Sequence, residues 1–167
     1  MLYGDTGILG VLLMRFSGDA FPTRVPVWWG RRGVVGPHPD VEGVTGKQIV
    51  IRHPKTLSGL EAILASILRG PKELRRPLDD MNSMLWELMD GSNDFSTICS
   101  LMDSTFHERI APVEERVRAS IAKFYSLGLA VIRQSPLSNE WNVSARFDPT
   151  GVLEPPSEKL ELDPEEE

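Results

Sequence analysis

The sequence predicts an α+β fold in which a helical core of helix-turn-helix type follows a small three-stranded antiparallel sheet and a short amphipathic helix. Three observations lead to this prediction. Residues 1–78 contain short β patterns interrupted by glycine and proline, residues 79–128 contain three capped segments with helical spacing, and residues 129–143 return to a β pattern. A chain of 167 residues with 41% hydrophobic content is long enough to bury one core.

These patterns divide the chain into three parts. Residues 1–46 form an N-terminal extension of strand and loops, and residues 47–147 form the main domain, with its helical core at 78–143. Residues 148–167 form an acidic tail, which has few apolar groups and is therefore predicted to be disordered. From Glu154 onward the tail holds seven acids against Lys159, a balance of −6 that equals the net charge of the whole chain and leaves the rest neutral.

Two segments with β patterns precede residue 54. The first is 24–29, where Pro26 restricts the strand to an edge position or to a strand start. The second is 48–52, in which Ile49 and Ile51 face the core and the alternate residues face the other side. The glycine-rich residues 30–46 between them are predicted to be exposed loop.

A helix and a third strand follow. Residues 58–69 carry an apolar stripe at helical spacing behind an S-x-x-E capping box, which predicts a short surface helix packed on the sheet. Gly70 and Pro71 end it. Residues 73–78 then form a third strand, with Leu74 and Leu78 on either side of Arg76.

Three helices come next in close order. The first has an aspartate N-cap at position 79 or 80 and ends before Gly91, and the second starts at Asp94. The third has Pro112 in its first turn and ends at Gly128. Residues 129–132 and 141–143 then form a hairpin across the turn residues 136–139. Three helices followed by a hairpin is the order of a winged helix.

The residues needed for catalysis are not found at characteristic spacings. His38, His53 and His107 are scattered, and Cys99 lies near an apolar stripe, where a structural thiol is more common than a nucleophile. The sequence therefore predicts no enzyme, no metal and no cofactor. A single cysteine favours a reducing, cytoplasmic location. The apolar run at 8–14 is too short to span a bilayer and lacks the basic flank of a signal peptide, so no membrane or targeting segment is predicted.

Between residues 78 and 130 the chain resembles the PqqD-like family, named after the peptide chaperone of PQQ biosynthesis. Leu78-Asp79 is followed by Leu85-Trp86-Glu87-Leu88-Met89-Asp90-Gly91, and the similarity continues through Phe95, Ile98, Phe106 and the segment Phe124-Tyr125-Ser126-Leu127-Gly128-Leu129-Ala130. Ser83 stands where the family usually has a small residue or glycine. The N-terminal 46 residues and the acidic tail have no counterpart in the minimal domain.

The resemblance implies a winged-helix domain that acts as a recognition element for ribosomally synthesised, modified peptides. Such domains add the leader of a precursor peptide as a strand beside the third strand, against the third helix, and present its core to a modifying enzyme such as a radical SAM enzyme. Main-chain hydrogen bonds then supply affinity and side-chain pockets supply register. Carried over to this chain, the peptide-binding residues are Glu73, Leu74, Arg75 and Arg76 of the strand and Arg116, Lys123 and Tyr125 of the helix.

DNA binding is one alternative, because a winged helix commonly places its third helix in the major groove. Here that helix carries Glu114 and Glu115 beside its cations, which favours a precursor peptide or a partner enzyme over DNA. The larger basic cluster lies upstream, at Lys47, Arg52, Lys55, Arg69, Lys72, Arg75 and Arg76. A second alternative is a scaffold or adaptor, in which the acidic tail or Trp28-Trp29 docks on a partner.

Overall fold

A computed structural model describes residues 15–54 and 73–164, and it describes 53–54 and 73–75 as backbone only. The strands are β1 Phe21–Arg24, β2 Trp28–Arg32, β3 Gln48–Pro54, β4 Glu73–Pro77 and β5 Ala130–Arg133. The helices are α1 Asp80–Leu88, α2 Phe95–Phe106 and α3 Val113–Ser126, with 3₁₀ turns at His107–Ile110 and Glu158–Leu160. This confirms the predicted α+β class. The helix predicted at 58–69 and the apolar run at 8–14 lie outside the described residues.

The helix ends follow their capping residues. Asp79 accepts a hydrogen bond from the amide of Asn82 at 2.8 Å, and Asp94 accepts one from the amide of Thr97 at 2.8 Å. The hydrogen bonds from Thr97 also hold the pKa of Asp94 below its usual value. In the described ranges, no helix has the length and hydropathy that crossing a membrane requires.

Strands β2, β3 and β4 form an antiparallel sheet in that order. Trp28, Arg52 and Arg75 form one row across it, and Trp29, Ile51 and Arg76 form the next. Ile49 and Ile51 are fully buried against the helices. One face of the sheet therefore supports the helical core.

The predicted strand at 24–29 is in fact two strands that belong to different sheets. Residues 25–27, which contain Pro26, separate β1 from β2, and β2 continues to Arg32 instead of ending in a loop. Strand β1 pairs with β5, whereas β2 pairs with β3. A proline lacks the amide hydrogen that a continuous ladder would need, so the chain changes sheets at this point.

The predicted hairpin between 129–132 and 141–143 does not form. Strand β5 pairs instead with β1, which brings Thr23 opposite Val131. Residues 141–143 are held by other groups, because the carbonyl of Val143 accepts hydrogen bonds from Arg24 Nε at 3.1 Å and from Trp29 Nε1 at 3.0 Å. Two side-chain donors thus bind the segment that sequence spacing had assigned to a wing.

An aromatic cluster joins the sheet to the helices. The ring of Trp86 on α1 lies 6.4 Å from that of Trp29 on β2 and 5.5 Å from that of Phe124 on α3. All three side chains are buried. Arg24 closes the carboxyl end of α1 by donating to the carbonyls of Trp86 at 2.8 Å and Glu87 at 3.0 Å. Burial lowers the pKa of Arg24 to about 10, and the guanidinium remains charged at neutral pH.

Residues 148–167 are predicted to be disordered, but residues 148–164 pack along the sheet. The chain returns along β2, where the amide of Arg146 donates to Trp29 O at 2.7 Å and that of Asp163 donates to Arg31 O at 2.9 Å. The buried side chain of Leu160 packs in this segment, and Leu162 reaches the space above Gly30. Residues 145–164 are called the C-terminal strap below.

The strap covers the sheet face opposite the helical core, the side to which the sequence alternation assigns Val50 and Arg52. Trp28, Val50 and Arg52 on this face are buried, and Arg52 Nη2 donates to the strap carbonyl of Glu154 at 2.6 Å. Trp28 and Trp29 lie on opposite faces and are both buried. The two tryptophans are therefore not available as the docking surface that an adaptor role would use.

Shortening Leu160 to alanine is expected to destabilise the protein by about 2 kcal/mol, the low end for a buried leucine, because this residue packs under a surface segment. Urea unfolding followed by circular dichroism measures the change. The matched control is Val152→Ala in the same strap, where the side chain is 68% exposed and the expected change is below about 0.5 kcal/mol. Equal effects of the two variants would show that the strap does not pack on the sheet.

Candidate functional site

The two edges of the three-stranded sheet differ. The outer edge of β2 is covered by the strap through the hydrogen bonds to Trp29 O and Arg31 O. Among the described residues, no strand pairs with the outer edge of β4. An uncovered edge presents unpaired amide and carbonyl groups to any extended chain that approaches it.

The register shows which backbone groups of β4 point outward. The amide of Leu78 donates to Ile49 O at 2.9 Å, so this pair is hydrogen-bonded. Hydrogen-bonded and non-hydrogen-bonded pairs alternate in an antiparallel ladder. Arg76 therefore bonds inward to β3, while Arg75 and Pro77 direct their backbone groups to the free edge. Pro77 has no amide hydrogen, which leaves the amide of Arg75 as a central outward donor.

A groove runs between this edge and α3. It encloses about 520 Å³. Its walls are formed by Arg76, Pro77, Leu78, Asn82, Ala119, Ser120, Lys123, Phe124, Leu127 and Leu129.

The groove combines an apolar floor with two cations. Phe124, which also packs on Trp86, is buried beneath it, and Leu127 is 38% exposed at one end. Ala119 has a small side chain, which leaves room between the helix and the strand. Lys123 and Arg76 are the charged residues among the described parts of the walls, and none of the described lining residues is an acid. Its potential therefore favours a negatively charged or neutral ligand with apolar side chains.

Ser83 holds the groove wall in place. Its Oγ accepts a hydrogen bond from the amide of Ile49 at 3.0 Å and donates to the carbonyl of Leu78 at 3.3 Å. The side chain is fully buried between α1 and the sheet. A serine at this position thus connects α1 to both β3 and the end of β4, a role that the sequence comparison did not assign to it.

The structure brings together two of the side chains predicted to bind peptide, Arg76 and Lys123. The backbone of residues 73–75 forms the edge strand as expected, and their side chains are outside the described part. Arg116 is not in the groove, because its guanidinium donates to the carbonyl of Arg109. Tyr125 is 40% exposed and does not line the groove.

Most of the apolar lining was missed from the sequence. Ala119, Ser120 and the C-cap residue Leu127 share a helical face with the predicted Lys123, and this row of small and apolar residues beside the core stripe is the signal that could have identified the face. No pattern in the sequence indicates that Pro77 and Asn82 line a groove. Their place in the groove depends on how β4 and α1 pack together.

The predicted basic cluster is not a continuous free patch. Lys47 Nζ pairs with Asp163 at 2.6 Å, and the guanidinium of Arg52 is buried 4.5 Å from the ring of Trp28. Lys55, Arg69 and Lys72 lie outside the described residues. In the described ranges, no three His, Cys, Asp or Glu side chains are grouped so that they could hold a metal ion.

Cys99 is expected to react slowly with iodoacetamide at pH 7–8. Burial, together with Glu114, raises the pKa of its thiol to about 11, so the reactive thiolate is scarce at neutral pH and increases as the pH approaches that value. Mass spectrometry of the alkylated native protein between pH 7 and pH 10 measures the rate, with the urea-unfolded chain as control. A native rate at pH 7 that exceeds the unfolded rate would indicate an activated thiol.

No protein-family model, curated protein or solved structure matches this chain. The candidate site is therefore interpreted from its own geometry.

Proposed function

We propose that this protein is a non-catalytic module that binds an extended peptide along β4, in the groove against α3. The proposal includes a winged-helix arrangement of the three helices, in which the β1–β5 ribbon replaces the predicted hairpin. By its resemblance to PqqD-type peptide chaperones, the module would present a ribosomal precursor peptide to a modifying enzyme. The observation that carries the proposal is the outer edge of β4, with which no described strand pairs, beside a groove of about 520 Å³.

Backbone and side-chain features both support a peptide ligand. The outward amide and carbonyl of Arg75 can extend the ladder by one strand, and alternate side chains of that strand would enter the groove. The apolar floor suits leucine-like or aromatic residues. Arg76 and Lys123 favour acidic residues beside them.

DNA binding receives less support from the same helix. The guanidinium of Arg118 donates to Phe16 O at 2.9 Å and to Glu114 at 3.1 Å, and that of Arg116 donates to Arg109 O. These cations are used within the fold. If duplex DNA nevertheless binds, its affinity must fall steeply with salt, which a titration at two salt concentrations measures.

The variant Arg75→Pro is expected to weaken peptide binding at least about tenfold, equivalent to about 1.4 kcal/mol. Proline removes an amide hydrogen that points away from β3, so the added strand loses a donor while the β3–β4 ladder keeps its bonds. The matched control is Arg75→Ala, which keeps the amide and is expected to retain most of the affinity.

The probes are synthetic peptides corresponding to the N-terminal halves of short open reading frames encoded beside the gene. Fluorescence anisotropy gives the affinity, and amide shifts in ¹⁵N spectra locate the site. Shifts concentrated on β4 and α3, with a loss specific to Arg75→Pro, would support strand addition. Equal affinity of the proline and alanine variants, or shifts confined to β1 and β5, would contradict it.

A further inference from the structure

A second cavity lies beyond Leu127. It encloses about 210 Å³ between the link that joins β1 to β2 and a turn of the strap at 148–153. Pro26 and Trp28 form one wall, and Leu153 belongs to the opposite wall. This cavity is called the strap pocket below.

The strap pocket continues the groove beside β4. Leu127 and Leu129 line both cavities, and the 38% exposure of Leu127 places its side chain at the surface between them. A chain leaving the groove at this end therefore meets the strap pocket next.

The polar groups around the pocket are used within the protein. Asp148 accepts hydrogen bonds from the amide of Thr150 at 2.9 Å and from the amide of Leu153 at 3.0 Å, which hold the turn. The guanidinium of Arg52 stacks on Trp28 and donates to Glu154 O at 2.6 Å. With these groups engaged, an entering side chain contacts mainly Pro26, Leu127 and Leu153. The pocket thus suits an apolar group.

The size of the pocket limits the occupant to one side chain. An enclosed apolar cavity of about 150 Å³ holds a benzene molecule in an engineered protein. A pocket of about 210 Å³ that opens to solvent therefore accommodates one leucine-sized or phenylalanine-sized group. A folded partner element such as a helix would not fit.

We propose that the strap pocket is a second specificity site for the peptide of the proposed function, and that it receives one large apolar side chain that follows the strand-forming part. The inference rests on the proposed function. It gives the strap, which the minimal domain lacks, a role in ligand selection: the preferred peptide carries apolar residues for the groove and a separate apolar residue for the strap pocket.

The test uses peptides selected on the full chain from a phage-displayed library of random 16-residue sequences. Leu153→Trp fills the strap pocket, and Val152→Trp is its matched control, because Val152 is 68% exposed and does not line the pocket. Ala119→Trp blocks the groove itself. Affinities of the selected peptides are measured by anisotropy, after circular dichroism has shown that each variant is folded.

The expected result is at least a tenfold loss with Leu153→Trp and with Ala119→Trp, and less than a twofold change with Val152→Trp. Alanine scanning of the peptide should identify one apolar residue whose removal costs affinity in the wild type but not in Leu153→Trp. If affinity falls with Ala119→Trp but not with Leu153→Trp, the proposal for the strap pocket is wrong and the proposed function stands. No loss with either variant, or no selected peptide, would overturn both.

A second measurement covers the case in which Leu153→Trp does not fold. Amide shifts of Gly128, Thr150 and Leu153 in the unmodified protein should change on addition of a selected peptide. A peptide that shifts β4 and α3 and leaves these three amides in place would overturn the strap pocket.

Discussion

Replacing Trp86 with alanine is expected to lower the free energy of unfolding by about 3–5 kcal/mol, the range measured for large buried aromatic residues. The side chain is fully buried and joins α1 to the sheet and to α3 through the rings of Trp29 and Phe124. Its removal leaves a cavity where three layers of the fold meet. Because Phe124 also forms the floor of the groove, peptide affinity should fall as well.

Urea unfolding followed by far-ultraviolet circular dichroism is the appropriate measurement, since the variant lacks a fluorophore that the wild type has. Val34→Ala is the control, because Val34 is 88% exposed and its shortening should change stability by less than about 0.5 kcal/mol. The loss of stability in Trp86→Phe should lie between those of Val34→Ala and Trp86→Ala. A loss below about 1 kcal/mol for Trp86→Ala would show that this side chain does not join the layers.

Replacing Glu87 with alanine is expected to destabilise the protein by about 3 kcal/mol. The buried carboxylate accepts hydrogen bonds from Arg31 Nε at 2.7 Å, from the Thr45 amide at 2.9 Å and from Thr45 Oγ1 at 2.8 Å. Removing one partner of a buried pair costs about 3–5 kcal/mol, and the low end applies because Arg31 keeps some access to water. The loop containing Thr45 would also lose its attachment to α1.

Glu87→Gln is the matched control for the charge. Glutamine keeps an oxygen that can accept from the Thr45 amide, but its amide group cannot pair with Arg31 as a carboxylate does, so its effect should be smaller than that of alanine. The amide of Gly46 also donates to Glu87, at 3.3 Å, so hydrogen exchange of the amides of Thr45 and Gly46 should accelerate in Glu87→Ala. Unchanged exchange at both amides would show that the carboxylate does not hold this loop.

The two variants also test how the site is supported. Trp86→Ala acts on the floor of the groove through Phe124, whereas Glu87→Ala acts on the loop before β3. Under conditions in which both variants are folded, only Trp86→Ala should weaken peptide binding. The comparison separates a local effect on the groove from a general loss of stability.

The helices and their ends could be predicted from the sequence because their determinants are local. Asp79 and Asp94 act as caps within three residues of their partners, and the apolar stripes repeat within each helix. The edge strand before Leu78 could also be placed, since a short β pattern ending at a proline is a local signal. Peptide binding by that strand and by α3 stays a prediction of the family resemblance, and a groove lies between the two elements.

The strap and the β1–β5 ribbon could not be predicted, because their determinants are not local. Leu160 and Leu162 lie among acidic residues, and the composition of the strap resembles that of a disordered tail. The strap is held by β2, more than 100 positions earlier in the chain, where Arg32 Nη1 donates to Leu160 O at 3.2 Å and Arg31 O accepts from the amide of Asp163. In the same way, Val143 accepts from Arg24 and Trp29 instead of pairing with β5.

By itself, the sequence determined the α+β class, the three helices and the strand before Leu78, because capping and periodicity act over a few residues. Only the tertiary structure decided which edge of the sheet is covered and which is open, and which side chains of α3 face that open edge. Those features depend on hydrogen bonds such as that from Asp163 to Arg31, between residues far apart in the chain. Long-range packing of this kind leaves no periodic trace in the sequence, and it is this packing that makes β4 the candidate binding edge.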